Sequence, residues 1–148
     1  MAGASEGLEV LGEKEDRRKT DFSAARTVIA GGLALGSAGN FAKLYLLAER
    51  LGAMVGADRG AVEAGWASRE QLIDTAGASV APDLYLAFGV DGSPTHNAAI
   101  ERSKVIAVIT MNPQANILGL ADYILPVDPA EALEAALVTE VLRFEAAF

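Results

Sequence analysis

The chain has 148 residues, 51% of them hydrophobic, and a mean hydropathy of +0.27, so it is long and apolar enough to bury one core. Its formal charge of −8 and pI near 4.6 repel phosphate backbones, so nucleic acid is not an expected partner. It contains no cysteine, which excludes disulfides, thiolate metal sites and a cysteine nucleophile and suits the cytoplasm; the acidic N-terminus shows no apolar signal core, and no apolar run reaches the length of a membrane span.

Residues 1–26 are charged and weakly patterned. The run Glu13-Lys14-Glu15-Asp16-Arg17-Arg18-Lys19 reads as a solvated arm or linker, or as an arm that crosses to a partner. A domain is expected over 27–148. It opens with a β-prone run over 27–30 (TVIA), ending in Gly31-Gly32. The loop GGLALGSAG follows, then a helix over 40–51 with Phe41, Leu44, Leu47, Ala48 and Leu51 at helical spacing. Strand, glycine loop and helix together can cradle a phosphate, but the strict dinucleotide fingerprint is absent, and a plain tight turn reads equally well.

A second strand is expected over 53–56 (AMVG), then a helix over 61–64. Between them Arg59 sits at the strand's end, as a surface salt bridge or as a site residue. Residues 65–78 read as irregular and hold the only tryptophan, Trp66. The stretch LYLAFGVDGSPTHNAAIERSKVIAVI over 84–109 reads as a buried strand (84–87), a turn, a short helix and a second buried strand (105–109). Near-continuous apolar strands suit a parallel sheet covered on both faces, whose ligands sit at the strands' carboxyl ends. The turn Gly89-Val90-Asp91-Gly92-Ser93-Pro94-Thr95-His96 lies at that position and carries the chain's only histidine, which as an isolated loop residue would read as surface.

Thr110-Met111-Asn112-Pro113 marks a further turn, 117–120 a short apolar piece, and 123–127 (YILPV) a fifth strand. Asp128 and Pro129 make a cap and first residue for a last helix towards Phe148, with Leu133, Leu137, Val141, Phe144 and Phe148 on one stripe and Glu131, Glu134, Glu140 and Glu145 at polar positions. The order βαβαβαβ(α)βα with right-handed crossovers gives an α/β fold, a three-layer doubly wound parallel sheet. No Ser-His-Asp set, metal cluster, nucleophile elbow or Walker loop is evident, which leaves a hydrolase or transferase reading little support.

Taken together, DFSAARTVIAGG, SAGNF, LGAMVGADRGAVEAGW, VAPDLYLAFGVDGSPTH, SKVIAVITMNPQANIL and ADYILPVD resemble the C-terminal, FAD-binding domain of the electron transfer flavoprotein alpha subunit, nearly ungapped from Asp21 to Pro129. The resemblance implies a nucleotide-binding fold of the deoxyhypusine-synthase type and an FAD whose ring faces a beta subunit. It implies that Arg59 lies beside the flavin ring and stabilises its negative charge when reduced, and that His96 lies near the ring's pyrimidine edge. It implies that Gly77, Gly89 and Gly92 let backbone approach the cofactor, and that Asp128 lies near the adenosine. With Thr75, Val90, Asp91, Thr95 and Thr110 these form the expected cofactor site.

The departures from the family pattern cluster at that site. The family's Gln-x-Gly-Gln-Thr-Gly is here Leu72-Ile73-Asp74-Thr75-Ala76-Gly77, and its Gly-Gly-Arg-Gly is Gly31-Gly32-Leu33-Ala34. Its Ser-Gly before the histidine is Asp91-Gly92, the glutamine beside the histidine is Thr95, and its Asn-Lys is Thr110-Met111. Asp91 sets a carboxylate where electrostatics disfavours one near a flavin or pyrophosphate. FAD is the expected cofactor, with AMP as the smaller alternative. The family's N-terminal domain is not in this chain. The expected role is an electron-carrier subunit between a dehydrogenase and an acceptor, paired with a beta-like subunit or with its own copies. The alternative is a redox-inactive assembly subunit.

Overall fold

Residues 21–140 are described by the computed structural model of the chain. The expected charge run over 13–19 and the residues Val141, Phe144, Glu145 and Phe148 of the last stripe lie outside them.

The apolar runs form five parallel strands, as the sequence leads one to expect: β1 Thr27–Gly31, β2 Met54–Ala57, β3 Leu84–Phe88, β4 Val105–Ile109 and β5 Tyr123–Leu125. Their order in the sheet is β2-β1-β3-β4-β5. The period of two along each strand sorts side chains to opposite faces. Val28, Ala30, Tyr85, Ala87, Ile106 and Val108 join one buried cluster with Ala99 and Ile100. Ile29, Val55, Ala57, Phe88 and Ile109 join the other with Phe41, Leu44, Leu47 and Leu133. The sheet is thus covered on both faces, and the fold is three-layered.

Among the described residues four α-helices connect or close the strands: α1 Ala38–Leu51, α2 Arg59–Glu63, α3 Pro94–Ile100 and α4 Pro129–Ala135. Helix α1 begins two residues before the expected 40, because the Ser37 side chain accepts from the Asn40 amide and caps it. It stops at Gly52, whose φ of 66° ends the helix in the left-handed region. Helix α2 also starts two residues early, at Arg59 rather than Ala61, because Asp58 caps it. The strand β2 is displaced by one residue from the expected 53–56, since the Ala53 amide still donates to the Ala48 carbonyl at the end of α1.

Three differences from the sequence reading concern the ends. Phe22, in the segment read as an arm, is 6% exposed and belongs to the core. β5 stops at Leu125 and not at Val127, where Pro126 cannot donate to a ladder. Helix α4 ends at Ala135 and passes into a π turn over Ala136–Glu140. The segment over 65–78 is irregular but contains a 3-10 turn, Arg69–Gln71, a parallel bridge that sets Leu72 against Ala57 at the end of β2, and a second bridge within it, between Ile73 and Ala78.

Strand order reverses between β1 and β3, so the crevice for a ligand in such a sheet opens at the loops that follow these two strands. The opposite edge carries Asp83 between Arg26 and Lys104, each at 3.2 Å. These pairs are exposed and contribute little to stability.

Candidate cofactor site

Where β2 ends, Asp58 accepts from the Ala61 amide at 2.9 Å and starts α2. That cap places Arg59 on the first helical residue, with its side chain half exposed. One guanidinium nitrogen lies 3.3 Å from Asp74 Oδ1. Asp74 was not singled out as a site residue from sequence, yet it is the hub. Its side chain is 2% exposed, and it accepts from the Ala76 amide at 2.9 Å and from the Thr95 hydroxyl at 2.7 Å. Burial pushes the Asp74 carboxyl up, but the Ala76 amide, the Thr95 hydroxyl and Arg59 together outweigh it and hold the group below the usual carboxylate range. The turn that presents Asp74 is fixed by the Ile73 amide on the Ala57 carbonyl and the Gly77 amide on the Asp74 carbonyl. Arg59 is thus neither a purely exposed ion pair nor a free cation.

The turn after β3 begins at Gly89 (φ 73°) and bends again at Gly92 (φ 85°), both in the left-handed region that favours glycine. Among the described residues, the amides of Val90, Asp91 and Gly92 donate to no protein acceptor. The Asp91 carbonyl accepts from the Ile117 amide, while its exposed carboxylate meets only the Asn112 side chain, at 3.4 Å. The glycines here serve close packing of the chain on itself. A Cβ on Gly32 would strike the Gly89 carbonyl oxygen and lie 2.6 Å from Asp58 Oδ2; one on Gly92 would lie 2.6 Å from Ile117 Cβ; one on Gly77 would lie 2.6 Å from the Leu72 carbonyl oxygen. Burial, with a smaller contribution from Asp91, pushes the Asp58 carboxyl up to about 6, against the pull of the Ala61 amide.

His96 is buried, 1% exposed, and not the surface residue that an isolated loop histidine suggests. Its Nε2 lies 2.6 Å from Tyr85 Oη, and its Nδ1 has no hydrogen-bond partner. Burial pulls its pKa down to about 4, only partly offset by the Ile73 backbone and Asp74, so the ring is neutral at pH 7. Its ring is enclosed behind the turn, while its backbone amide is capped by the Ser93 hydroxyl at 3.2 Å.

The remaining expected site residues fall in three places. Thr75 is exposed at the tip of the Asp74 turn. Thr110 is buried at the end of β4, where its amide donates to the Leu125 carbonyl and its hydroxyl accepts from the Asn112 amide. Asp128 caps α4 through the Glu131 amide at 3.0 Å, as the sequence indicates. The structure therefore brings Arg59 and Thr95 together through Asp74, and sets Val90 to Gly92 on the same edge. Among the described residues neither Thr110 nor Asp128 hydrogen-bonds to that cluster. Asp58 and Tyr85 join Asp74 as residues that sequence reasoning passed over. For Asp58 a signal was present, an Asp directly before a helix. Among the described residues no group of acidic, histidine or cysteine side chains could hold a metal ion. No helix among them is long and apolar enough to cross a membrane.

Residues 21–101 match the model of the electron transfer flavoprotein FAD-binding domain. The mitochondrial electron transfer flavoprotein subunit alpha of Arabidopsis thaliana is 45% identical over 109 residues, which is 74% of this chain and 30% of that subunit. The alpha subunit of Paracoccus denitrificans is 40% identical over 124 residues, 82% of this chain and 40% of the relative. That of Bradyrhizobium diazoefficiens is 41% identical over 138 residues, 90% of this chain and 43% of the relative. The chain thus spans less than half the length of these relatives. A solved structure from Mycobacterium smegmatis, described as a thiamin diphosphate-dependent enzyme, is similar with a TM-score of 0.48 at 18% identity, over 82% of this chain and 27% of its own; so slight a likeness carries no argument.

Proposed function

We propose that this chain, which belongs to the family of electron transfer flavoprotein FAD-binding domains, holds FAD at the carboxyl edge of its sheet and works as an electron-transfer domain within a larger assembly. The observation that carries the reading is the edge itself. At the switch point of the sheet it offers the unpaired amides of Val90, Asp91 and Gly92 and the half-exposed guanidinium of Arg59. These donors suit a ligand that is anionic and rich in acceptors. When bound, the flavin supplies the redox chemistry. The chain's own groups do the holding. The amides after β3 would bind acceptor oxygens, Arg59 would face developing negative charge, and the buried Tyr85–His96 pair would stiffen the turn from behind. Thr75, Gly77, Gly89 and Thr95 would line the approach, with Thr110 and Asp128 further along the edge.

The cavity of about 220 Å³ lined by Phe22, Ser79, Val80, Ala99 and Arg102 contains none of these residues. Arg59 is half exposed and Asp91 exposed at the edge, which fits closure by a neighbour, a beta-like subunit or a second copy, and docking to a dehydrogenase. The exposed apolar residues of β5 and its flank, Tyr123, Ile124, Leu125 and Val127, favour association. The cysteine-free composition supports a reducing compartment, and the cytoplasm is the location we assign.

A second reading is favoured by the carboxylates. Asp58 and Asp91 both face the edge that would hold a pyrophosphate. A redox-inactive assembly subunit holding AMP, or no nucleotide, fits that charge. The deciding experiment is an absorbance spectrum of the protein purified with its natural partners, followed by mass spectrometry of the released nucleotide. Stoichiometric FAD supports the electron-transfer reading. AMP or an empty edge refutes it in favour of the assembly role.

A further inference from the structure

The segments that leave the carboxyl ends of the strands run over 32–37, 58–60, 89–93, 110–115 and 126–128. Among them Arg59 is the only cation, while Asp58, Asp91 and Asp128 are anions. Among the described residues of these segments, a ligand's negative charge has one guanidinium to meet, and that guanidinium is already engaged.

We propose that Asp74 is a built-in competitor for the ligand's negative charge, holding Arg59 so that a bound flavin must share it or draw it away. The proposal deepens the flavin-binding reading and rests on it. Geometry decides which partner moves. Asp74 is 2% exposed and fixed from two further sides, by Thr95 at 2.7 Å and Ala76 at 2.9 Å. Arg59 is 50% exposed and touches the carboxylate through one nitrogen at 3.3 Å, not through a two-pronged fork. A single long contact to a half-exposed guanidinium is weak, so Arg59 can leave and Asp74 cannot follow. Two effects on the ligand follow. Part of the attraction between Arg59 and the ligand is spent on breaking the internal contact. The carboxylate left behind then disfavours any negative charge that grows on the ligand, so a reduced, anionic ring is held less well than the oxidised ring. Asp74 is therefore a positioning residue that sets both affinity and potential through Arg59.

The test compares the full chain with its Asp74→Asn variant, which keeps the acceptor oxygen and removes the charge. FAD affinity is read by quenching of flavin fluorescence, and the midpoint potential of the bound flavin by spectroelectrochemistry. FAD is expected to bind up to about fivefold tighter to the variant, the range of a weak ion pair released, and the potential is expected to shift upward. In an Arg59→Ala background the gain in affinity should fall by at least half, because the freed cation is no longer there. Thr95→Val disturbs the same hub without removing charge and should give no gain. Should Asp74→Asn fail to fold, Asp74→Gly carries the same expectations, since it also frees Arg59.

Equal affinity and potential in wild type and variant overturn the proposal, as does a gain that Thr95→Val reproduces or that Arg59→Ala leaves intact. If FAD binds wild type and variant alike, this inference alone falls. If FAD binds neither, the flavin-binding reading falls with it. Binding to Asp74→Asn but not to wild type supports the competitor role while refuting resident FAD in the native chain.

Discussion

Asp58→Asn is expected to stabilise the protein at neutral pH and to leave its stability unchanged near pH 4. The Asp58 carboxyl is raised from 3.8 to about 6, chiefly by burial and further by Asp91. A shift of about two units at ~1.4 kcal/mol each sets a ceiling of about 3 kcal/mol, and its partial exposure reduces the expected gain to about 1–2 kcal/mol. Asparagine keeps an acceptor for the Ala61 amide and is as good a helix cap as aspartate, so the start of α2 survives. The sign follows from proton counts. Between about pH 4 and 6 the native state holds a proton on Asp58 that the unfolded chain has released, so stability falls as pH rises through that window. His96 works in the opposite direction. Its native pKa of about 4 lies below the ordinary 6.5, so the unfolded chain binds the extra proton and stability rises with pH across nearly the same range. The two slopes largely cancel in the wild type, and only the difference between wild type and variant isolates Asp58. Urea unfolding at about pH 4, 6 and 8 should show a gap that is near zero at the lowest pH, opens through 6 and levels off above about 7. A gap that does not change with pH refutes the reasoning, because it means the Asp58 carboxylate ionises in the native state without penalty.

Three other expectations rest on the same edge and its supports. Arg59→Ala should loosen bound FAD and lower the potential of the flavin, read by spectroelectrochemistry; an unchanged potential in fully loaded protein removes Arg59 from the site. Gly32→Ala drives a Cβ into the Gly89 carbonyl and towards Asp58, so it should cost about 2 kcal/mol or more in urea unfolding, and a loss under about 0.5 kcal/mol would show that the β1 and β3 loops separate easily. Tyr85→Phe strands the buried His96 Nε2 and should cost about 1–3 kcal/mol, while Tyr85→Phe with His96→Phe should cost less than the single change, because no polar atom is then left unpaired; additive losses in thermal unfolding contradict the pairing.

The sheet was legible because its strands are apolar runs, and a run such as 105–109 has few alternatives inside a chain of this length. The helix starts were less so. Ser37 and Asp58 are caps whose effect depends on backbone angles, and both helices consequently begin two residues earlier than spacing alone suggests. The burial of His96 does have a signal in the sequence. With Ala99 and Ile100 it forms an i, i+3, i+4 face, and all three are buried on α3. The pairing of Arg59 with Asp74 had no such local signal. They lie on different elements, and tertiary ties such as the hydrogen bond from the Ile73 amide to the Ala57 carbonyl bring the second turn alongside the first. Thr95 reaches the same carboxylate across 21 residues. An aspartate in a short turn reads as solvent-facing, and nothing in its neighbours announces a side chain buried to 2%.

The distribution of charge separates what the fold needs from what a ligand meets. At the amino edge Asp83 has two cations for one carboxylate, all exposed, in pairs that add little stability. At the carboxyl edge the balance is reversed: in the described loops that leave the strands Arg59 is the one cation, against Asp58, Asp91 and Asp128, with the buried Asp74 beside it. A sheet of this kind does not require that asymmetry for its stability. Asp58 bears its burial as a raised pKa, and Asp74 needs three donors to stay ionised. At the switch point of a doubly wound sheet, groups held at such cost are candidates to act on what approaches the crevice. Under the proposed reading the unpaired amides after β3 would draw an anionic ligand, and the carboxylates would limit how much charge it carries. The edge would then discriminate among ligand charge states as well as among ligands, with Asp74 acting through Arg59.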